Sequence, residues 1–333
     1  MSQPSASAPP RTPLWADDAP VRIGISSCLL GEPVRWDGGH KRDAFLTRVL
    51  EPFVEWVPVC PEVEAGMGVP REPVHLVHDD DGVVMVGTRS GLDHTDAMRR
   101  WSRRRVAELL AEDLCGYVLK KDSPSCGMER VKVRSPRGGP GRREGRGLFA
   151  EALIAADPWL PVEEEGRLND PVLRESWIER VFAFRRLRTF FGRRWSVGDL
   201  VRFHTAHKLQ LLAHAPAAYR ELGRLVAGAR DLRRDELERR YREGFMGALG
   251  RRATRARHQN VLEHAIGHFK KRLDPEVRAE MLRHVRDYRE GLVPLVVPLT
   301  LIRHYVERLP VEYLAEQVYL EPHPKELMLR NHV

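Results

Sequence analysis

The sequence lacks the features that mark membrane-spanning, secreted and disulfide-stabilised proteins. It has no run of about 18 apolar residues, which excludes a transmembrane helix. Residues 1–20 are rich in Ser, Ala and Pro and contain no apolar segment, so they are predicted to be a disordered tail and not a signal peptide. Only four of the 333 residues are cysteine. In the cytoplasm, where this chain is expected to act, thiols stay reduced.

Three common metal-binding patterns are also missing. The cysteines form neither the CxxC pairs of a zinc ribbon nor the CxxCxxC run of a ferredoxin. His264 and His268 lie in the string EHxxxH and not HExxH, which argues against a zinc site of the metalloprotease type. Any metal centre in this chain must therefore be assembled from residues far apart in the sequence.

The composition favours a two-domain protein with a polyanionic partner. A length of 333 residues with 42% apolar residues suggests two domains with real cores. The formal net charge is +8, with 31% charged residues, and this balance favours nucleic acid as a partner. The alternative is an arginine-rich chain whose charged faces are simply solvated.

Three of the four cysteines directly follow short apolar runs that are typical of β-strands. The runs are residues 23–25, 54–59 and 116–119, and the cysteines are Cys28, Cys60 and Cys126. If the strands are parallel in one sheet, the three thiols meet at its carboxyl edge, where open α/β sheets bind ligands. Spacing alone leaves two interpretations open, a metal centre and three structural thiols. Cys115 precedes its strand and is expected at the opposite edge, buried or incidental.

The pattern of elements divides the chain into an α/β N-terminal domain with a mainly parallel sheet and an all-α C-terminal domain. From residue 21 to about 161, strand-like and helix-like segments alternate, which favours βαβ architecture. Strands are predicted at 23–26, 54–59, 83–86 and 116–119, helices at 42–50 and 95–113, and a flexible basic loop at 135–147. Beyond residue 161, helices are predicted at 171–191, 197–213, 216–229, 232–249, 254–272, 275–289 and 295–307. The predicted divisions are a disordered tail (1–20), the α/β domain (21–162), a helical linker (163–196) and a helical accessory domain (197–333).

The cysteine segments resemble the thiouracil and thiouridine desulfidase family. The strings SSCLLG…VRWDG, VCPEV…GVPR and KKDSPSCG occur in that order and are very close to its signature. The resemblance covers roughly residues 21–160. It implies that Cys28, Cys60 and Cys126 hold a [4Fe–4S] cluster and leave one iron without a protein ligand.

The second half resembles a helical domain that occurs alone or fused behind this desulfidase domain. The strings that carry the resemblance are FHTAHKL (203–209), NVLEH (260–264), FKKRL (269–273), VPLTLIRHY (297–305) and PHPKELMLRNH (322–332). The fused arrangement implies removal of sulfur from 4-thiouridine in tRNA, with the helical domain helping to hold the RNA. Members that act on free bases lack this domain. No membrane and no DNA partner is expected.

The chemistry explains why three cysteines suit this reaction. Replacing a thiocarbonyl sulfur by oxygen is a hydrolysis without net redox change, and sulfide leaves carbon poorly unless it is captured. An iron with a free coordination position is a soft Lewis acid that binds sulfur. Three protein ligands leave that position free, as in open catalytic zinc sites.

The candidate catalytic residues flank the cysteines. Glu62, two residues after Cys60, is the predicted general acid/base, and Glu64 is a weaker candidate. Ser123 and Ser125 either orient water and the pyrimidine edge or cap a turn. Asp37 is either a turn aspartate, which the local sequence favours, or a second polar site residue. Ser27 is predicted to hydrogen-bond the cluster sulfurs.

Several basic residues are candidates for RNA contacts, because a tRNA is gripped mainly through its phosphates. For the cluster of arginines around Trp101, the alternative is a solvated helix face. The candidates are Arg100 and Arg104 on the helix of Trp101, Arg142 and Arg143 in the Gly-rich loop, His207 and Lys208 on one predicted helical face, and Lys270 and Lys271.

The sequence leaves three functions open. The first is cluster-dependent desulfuration of 4-thiouridine in tRNA. The second is hydrolysis of free thiouracil, against which the appended basic domain argues. The third is a non-enzymatic iron–sulfur sensor that binds RNA, which predicts a cluster with four protein ligands and a replaceable Glu62.

Overall fold

The chain forms two small sheets followed by a helical half. The computed structural model describes residues 20–80, 82–135 and 140–333; the predicted disordered tail, except residue 20, lies outside these ranges. The strands are β1 (Val21–Ser26), β2 (Val54–Val59), β3 (Val74–Asp79), β4 (Gly82–Gly87), β5 (Gly116–Leu119), β6 (Val131–Arg134), β7 (Arg142–Gly145) and β8 (Val162–Glu164).

The first sheet holds the three cysteine strands side by side. Its strand order is β2-β1-β5-β8, and all neighbours are parallel. This arrangement confirms the prediction of an α/β domain with a parallel sheet. The chain leaves β1 towards β2 on one side and β5 towards β8 on the other. The carboxyl ends of β1 and β5 therefore flank a topological switch point, where sheets of this kind bind ligands.

The second sheet was largely missed from the sequence. Its order is β4-β3-β6-β7, with a parallel pair β3–β6 between two antiparallel pairs. The predicted edge strand at 83–86 is confirmed as β4. The predicted flexible loop at 135–147 is wrong for residues 142–145, because these pair with β6 as strand β7. Residues 136–139 of that loop lie outside the described ranges.

The second half is helical, as predicted. The helix predicted at 197–213 is two helices that meet at His207, and the helix predicted at 42–50 is a π-helical turn over Phe45–Leu50. No helix in the described ranges is both long and apolar enough to cross a membrane. The helices are α1 (Pro61–Glu64), α2 (Thr95–Ala111), α3 (Leu148–Ala156), α4 (Pro171–Phe191), α5 (Val197–Ala206), α6 (Lys208–His214), α7 (Pro216–Ala227), α8 (Arg234–Leu249), α9 (Arg255–Gly267), α10 (Pro275–Glu290), α11 (Val296–Arg308) and α12 (Glu312–Ala315).

Local sequence explains several helix ends. The Asp170 carboxylate accepts hydrogen bonds from the N–H groups of Val172 and Leu173, which caps α4. Ser196 and Asp199 form a reciprocal capping box at the start of α5. Gly291 ends α10 with φ of 84°, a left-handed conformation that costs little without a side chain.

Helix α4 joins the two halves through a shared core. Its side chains Trp177 and Phe184 are buried in the same apolar cluster as Ile23 and Leu119 of the first sheet and Phe245 of α8. A second cluster is built from α6, α9, α10, α11 and the C-terminal segment. The segment predicted as a helical linker (163–196) therefore contributes buried side chains to the core of the sheet domain as well as to the helical half.

Candidate active site

A cavity of about 380 Å³ opens at the carboxyl edge of the first sheet. Cys28, Cys60 and Cys126, which follow β1, β2 and β5, all line it. The three cysteines therefore border one cavity, as the parallel arrangement predicts. Cys115 lies before β5 and is buried, with its Sγ 3.6 Å from the carbonyl oxygen of Asp113.

Burial makes all three thiols weaker acids. It raises the pKa of Cys28 to about 11, although the charge of Lys120 opposes the shift. Burial also raises the pKa of Cys60 and of Cys126. A nucleophilic cysteine needs the opposite, a lowered pKa. A metal ligand does not, because coordination itself removes the proton.

The donors that these residues offer are three cysteine sulfurs around one cavity. Across the described ranges, no three His, Cys, Asp or Glu side chains form a group that could hold one metal ion. The cysteines instead border a common cavity. Three soft sulfur donors around such a space suit an iron–sulfur cluster and not a hard cation such as Mg²⁺.

Glu62 projects into this cavity from α1, which starts directly after Cys60. Its Oε1 accepts a hydrogen bond of 2.7 Å from the Ser125 hydroxyl. Its Oε2 accepts one of 2.9 Å from Nε of Arg71 and a second from Nη2 of the same guanidinium. The carboxylate is thus held between a hydroxyl and a buried cation. Arg71 was not predicted as a site residue, although it ends the GVPR string.

Glu64 faces away from the cavity. Its Oε1 accepts a 3.0 Å hydrogen bond from the backbone N–H of Cys60, and its Oε2 lies 3.4 Å from Nε of Arg105. Glu64 therefore closes the first turn of α1 and ties it to α2. This placement explains why Glu62 and not Glu64 is the carboxylate of the site.

The two serines before Cys126 have different partners. The Ser123 hydroxyl accepts hydrogen bonds from the backbone N–H groups of Ser125 (3.3 Å) and Cys126 (3.1 Å). The two hydroxyl oxygens are 3.0 Å apart, and since the Ser125 proton goes to Glu62, Ser123 is the donor between them. Ser123 thus caps the turn, whereas Ser125 contacts the carboxylate directly.

The loop that carries Cys126 is fixed by the start of α3. The N–H groups of Leu148 and Phe149 donate to the carbonyl oxygens of Pro124 and Ser125, at 3.1 and 3.0 Å. This approach requires Gly147, because a Cβ there would lie 2.4 Å from the Ser125 oxygen. The first turn of α3 therefore positions Ser125 and Cys126.

The loop is also held from β8 and β1. Glu165, directly after β8, pairs with Nζ of Lys120 at 2.5 Å and accepts from the N–H of Lys121 at 2.8 Å. The Ser26 hydroxyl hydrogen-bonds the Cys126 thiol, which lowers its pKa against the larger effect of burial. Ser27 is buried and lines the cavity beside Cys28. Strand β8 was not predicted, because two of its three residues are Glu, which is depleted in strands.

Asp37 is corrected from a candidate catalytic residue to a turn residue. Its Oδ1 accepts a 3.1 Å hydrogen bond from the N–H of Gly39, and this bond lowers the Asp37 pKa. Gly38, with φ of 73°, allows the tight turn. The carboxylate is exposed, and Asp37 is not part of the cavity wall.

The mouth of the cavity carries an exposed aromatic ring and positive charge. Trp36 is 42% exposed and lines the cavity with Arg35, Lys41 and Lys121. Among the described residues, neither Lys41 nor Lys121 forms an ion pair through its side chain. Trp36 was visible within VRWDG but was not predicted as a contact.

The predicted RNA contacts of the first half are exposed at the surface. Arg100 and Arg104 lie on α2, where Arg104 is 3.7 Å from Glu108. Arg142 is exposed on β7, and Arg143 forms a 2.6 Å ion pair with Asp122 at the cavity wall.

The predicted RNA contacts of the second half behave differently from one another. Lys270 and Lys271 are exposed and line a second cavity of about 850 Å³ with His264 and His268. His207 is wrong as an RNA contact, because it is fully buried and stacks on Phe203 with ring centroids 4.1 Å apart.

Lys208 is neither exposed like Lys270 and Lys271 nor fully buried like His207. It is half-buried, and its Nζ lies 6.0 and 5.7 Å from the ring centroids of Tyr219 and Tyr313. The helix break at His207 separates it from the face of α5, so the predicted common face of His207 and Lys208 does not form.

Comparison with known proteins gives independent information on both halves. A family model described as 2-thiouracil desulfurase matches residues 23–165, and one described as a protein of unknown function (DUF1722) matches residues 208–324. The uncharacterized protein YbgA of Escherichia coli (strain K12) is 32% identical over 158 residues, which are 47% of this chain and 94% of that protein. The uncharacterized protein YbbK of Bacillus subtilis (strain 168) is 29% identical over 110 residues, or 32% of this chain and 72% of that protein.

A solved structure also matches part of the chain. It is that of a [4Fe-4S]-dependent thiouracil desulfidase, TudS, with 31% identity, a TM-score of 0.38, and coverage of 46% of this chain and 97% of that one. The two family models divide the chain as the fold does, one over the first sheet and its cavity and the other over the helices from α6 onward. The chain is therefore a relative of YbgA in which a region that matches the 2-thiouracil desulfurase family model is followed by a region that matches the DUF1722 model.

Proposed function

We propose that this protein removes the sulfur of 4-thiouridine in tRNA by hydrolysis, without net redox change. The observation that carries the proposal is the meeting of three cysteine thiols and the Glu62–Ser125 pair in one cavity. The thiols supply a soft metal site, and the pair supplies a group for proton transfer beside it. We expect the reaction to take place in the cytoplasm, where thiols stay reduced.

Cys28, Cys60 and Cys126 would hold a [4Fe–4S] cluster in this cavity. When bound through three ligands, such a cluster supplies an iron with a free position, a soft Lewis acid for the substrate sulfur. The cysteines then act as ligands and not as nucleophiles, in keeping with the way burial raises their pKa values.

Glu62 is the group that moves the proton. Its carboxylate lines the cavity and accepts from Ser125, so it is placed to take a proton from an attacking water and return it to the pyrimidine. Ser125 keeps one hydroxyl lone pair free of the contacts described above, and it orients water or the pyrimidine edge.

RNA as the substrate is supported by charge and by the cavity mouth. The chain carries a net charge of +8, and the mouth presents Trp36 with Lys41 and Lys121. Such a combination stacks a base and binds the neighbouring phosphates. A base within folded RNA must be extruded into the cavity or lie at an exposed position. The surface of Lys270 and Lys271 would then hold a distant part of the tRNA.

Free thiouracil is the second candidate substrate. The matched family model is described by 2-thiouracil, and the cavity of about 380 Å³ is large enough for a single base. An enzyme for free bases has no need of the basic surfaces outside the cavity, so the two candidates differ in what those surfaces contribute.

Anaerobic reconstitution followed by nucleoside analysis tests the proposal. The reconstituted protein should convert 4-thiouridine to uridine in tRNA, and the Cys28→Ser variant should not. Turnover of free thiouracil with no change in tRNA would support the second candidate. An intact cluster that changes neither substrate would refute both and support the RNA-binding sensor.

Point variants test the role of the helical half better than truncation does. A chain cut after residue 165 would lose Trp177 and Phe184 from the core shared with the first sheet. Replacing Lys270 and Lys271 together by Gln leaves that core intact. We expect this double variant to lose affinity for tRNA while it keeps its turnover of free thiouracil.

A further inference from the structure

Arg71 makes more contacts at the cavity than a simple ion pair requires. Its side chain is only 7% exposed, and its guanidinium binds Oε2 of Glu62 through both Nε and Nη2. Its remaining nitrogen, Nη1, donates to the carbonyl oxygens of Val34 (3.0 Å) and Gly68 (2.8 Å). The planar fork of an arginine serves all of these directions at once, whereas a lysine supplies a single point charge.

These contacts join three parts of the cavity wall. Val34, which accepts from Arg71, also lies 3.7 Å from Sγ of Cys60 through the same carbonyl oxygen. The backbone N–H of Arg71 donates to the carbonyl oxygen of Trp36 at 2.9 Å. One residue thus holds the carboxylate, the segment beside a cysteine and the segment that carries the exposed tryptophan.

The contacts also decide which oxygen of Glu62 is available. Two hydrogen bonds from Arg71 occupy Oε2, while Oε1 accepts a single bond from Ser125. A carboxylate oxygen has two acceptor positions. Within the described residues, the open acceptor position of Glu62 is therefore on Oε1, next to Ser125.

We propose that Arg71 is a positioning residue of the desulfuration site, which fixes the Glu62 carboxylate so that Oε1 is the proton-accepting atom. This inference rests on the function proposed above. Without Arg71 the carboxylate can rotate and exchange its two oxygens, and the angle at which it meets water and substrate is lost. Misplacement of a reacting group by about 1 Å costs on the order of 10²-fold in rate.

The test compares Arg71→Ala and Arg71→Lys in the reconstituted holoenzyme. We expect kcat of Arg71→Ala to fall about 10²-fold, with the cluster absorbance unchanged. Added guanidinium should restore part of that kcat, because it can occupy the space left by the side chain, and ammonium should not. Arg71→Lys should recover only part of the activity. The matched control is Arg174→Ala. Arg174 is a half-buried arginine that donates to the Leu168 carbonyl oxygen away from the cavity. The kcat of this variant should stay at the parent value.

A crystal structure of Arg71→Ala supplies a readout that does not depend on turnover. The expected result is a Glu62 carboxylate whose plane is rotated from its orientation in the parent. A kcat of Arg71→Ala equal to that of the parent overturns the inference. If the Ala variant fails to fold, a full kcat in Arg71→Lys does the same. In either case the activity of the parent still supports the proposed function. If the parent itself desulfurates nothing, the proposed function fails, and an unmoved Glu62 in the variant structure would overturn the positioning role as well.

Discussion

At the scale of single residues, the sequence predicted the cysteines and the carboxylate that line the cavity but not the residues that hold them in place. Cys28, Cys60, Cys126 and Glu62 were all predicted, because a strand end or a neighbouring cysteine marks their place. Arg71 could not be predicted in the same way. Its contact with Glu62 depends on how the loop between them folds back, and spacing along the chain carries no signal for that.

The pair Glu62 and Glu64 allows a controlled test of the general base. Glu62→Ala should keep the cluster absorbance and lose turnover by about 10²- to 10⁴-fold, the range for a lost general acid/base. Glu64→Ala should keep turnover and lower the free energy of unfolding by about 1 kcal/mol, because the acceptor that caps the Cys60 N–H is lost. Steady-state kinetics and urea unfolding of both variants check this. Turnover retained in Glu62→Ala would move the role to another group.

Trp36 is the residue whose effect should depend on the substrate. A base stacked on an aromatic side chain contributes about 1–3 kcal/mol to single-strand binding. Trp36→Ala should therefore raise KM for tRNA by roughly five-fold or more, with little change in kcat for free thiouracil. Leu292→Ala, at another exposed apolar residue (71% exposed), is the control. Equal losses on both substrates would show that Trp36 supports the cavity and does not bind RNA.

At the scale of elements, the strands with apolar runs were predictable and the short alternating ones were not. The first sheet has buried strands such as β5, in which every residue is buried, and a continuous apolar run reveals them. In β6 only Val131 and Val133 are buried, and charged residues lie between them. Four residues of alternation are too few to separate a strand from a loop. Apart from β4, the strands of the second sheet are therefore defined by their pairing with distant segments and not by a local sequence pattern.

The contact between α3 and the Cys126 loop predicts a specific effect of one methyl group. In Gly147→Ala, the added Cβ would meet the Ser125 carbonyl oxygen at 2.4 Å, so the loop with Ser125 and Cys126 must shift. We expect this variant to fold but to retain less cluster after reconstitution, measured as iron per chain and absorbance. Gly267→Ala is the control, because nothing lies within 4 Å of its Cβ position. Full iron content in Gly147→Ala would show that the loop adapts without cost.

At the scale of the whole molecule, a buried polar network ties the C-terminal segment to α4. Glu179 lies 3.2 Å from Nε2 of His214, and Glu175 lies 3.3 Å from Nε of Arg330. The Arg330 guanidinium also donates to the Tyr319 carbonyl oxygen at 2.6 Å. Sequence reasoning marked the string that contains Arg330 only by resemblance. It could not find the network, because the partners lie 155 residues apart.

Removing Arg330 should destabilise the whole chain and not only its end. Arg330→Met would leave Glu175 buried with no arginine beside it, and breaking a buried pair in this way costs about 3–5 kcal/mol. Because α4 belongs to the core of the sheet domain, we expect a single unfolding transition at lower urea concentration. Circular dichroism and the tryptophan fluorescence should report the same midpoint. A change confined to the C-terminal helices would contradict this coupling.

Buried neutral histidines make the same helical half sensitive to acid. Burial, with a contribution from the Arg330 charge, lowers the pKa of His258 to about 4, and its Nδ1 lies 2.7 Å from the Tyr319 hydroxyl. The unfolded chain takes up a proton near pH 6.5, whereas folded His258 does not, so the free energy of unfolding falls as the pH drops from 7 towards 4.

The expected loss from His258 is about 2 kcal/mol at pH 5. His214 acts in the other direction, since its pKa is raised, with Glu179 opposing the effect of burial. The stability that His214 contributes is complete below pH 6.5 and is lost as the pH rises through its folded pKa, so it cannot mask a decline between pH 6 and 5. The test is His258→Gln, with urea unfolding of parent and variant at pH 7 and pH 5. All other titratable groups, including His214, are common to both chains, so the difference between their pH dependences isolates His258. The variant should lose about 2 kcal/mol less than the parent over this interval, and identical losses would show that His258 is already charged in the folded protein.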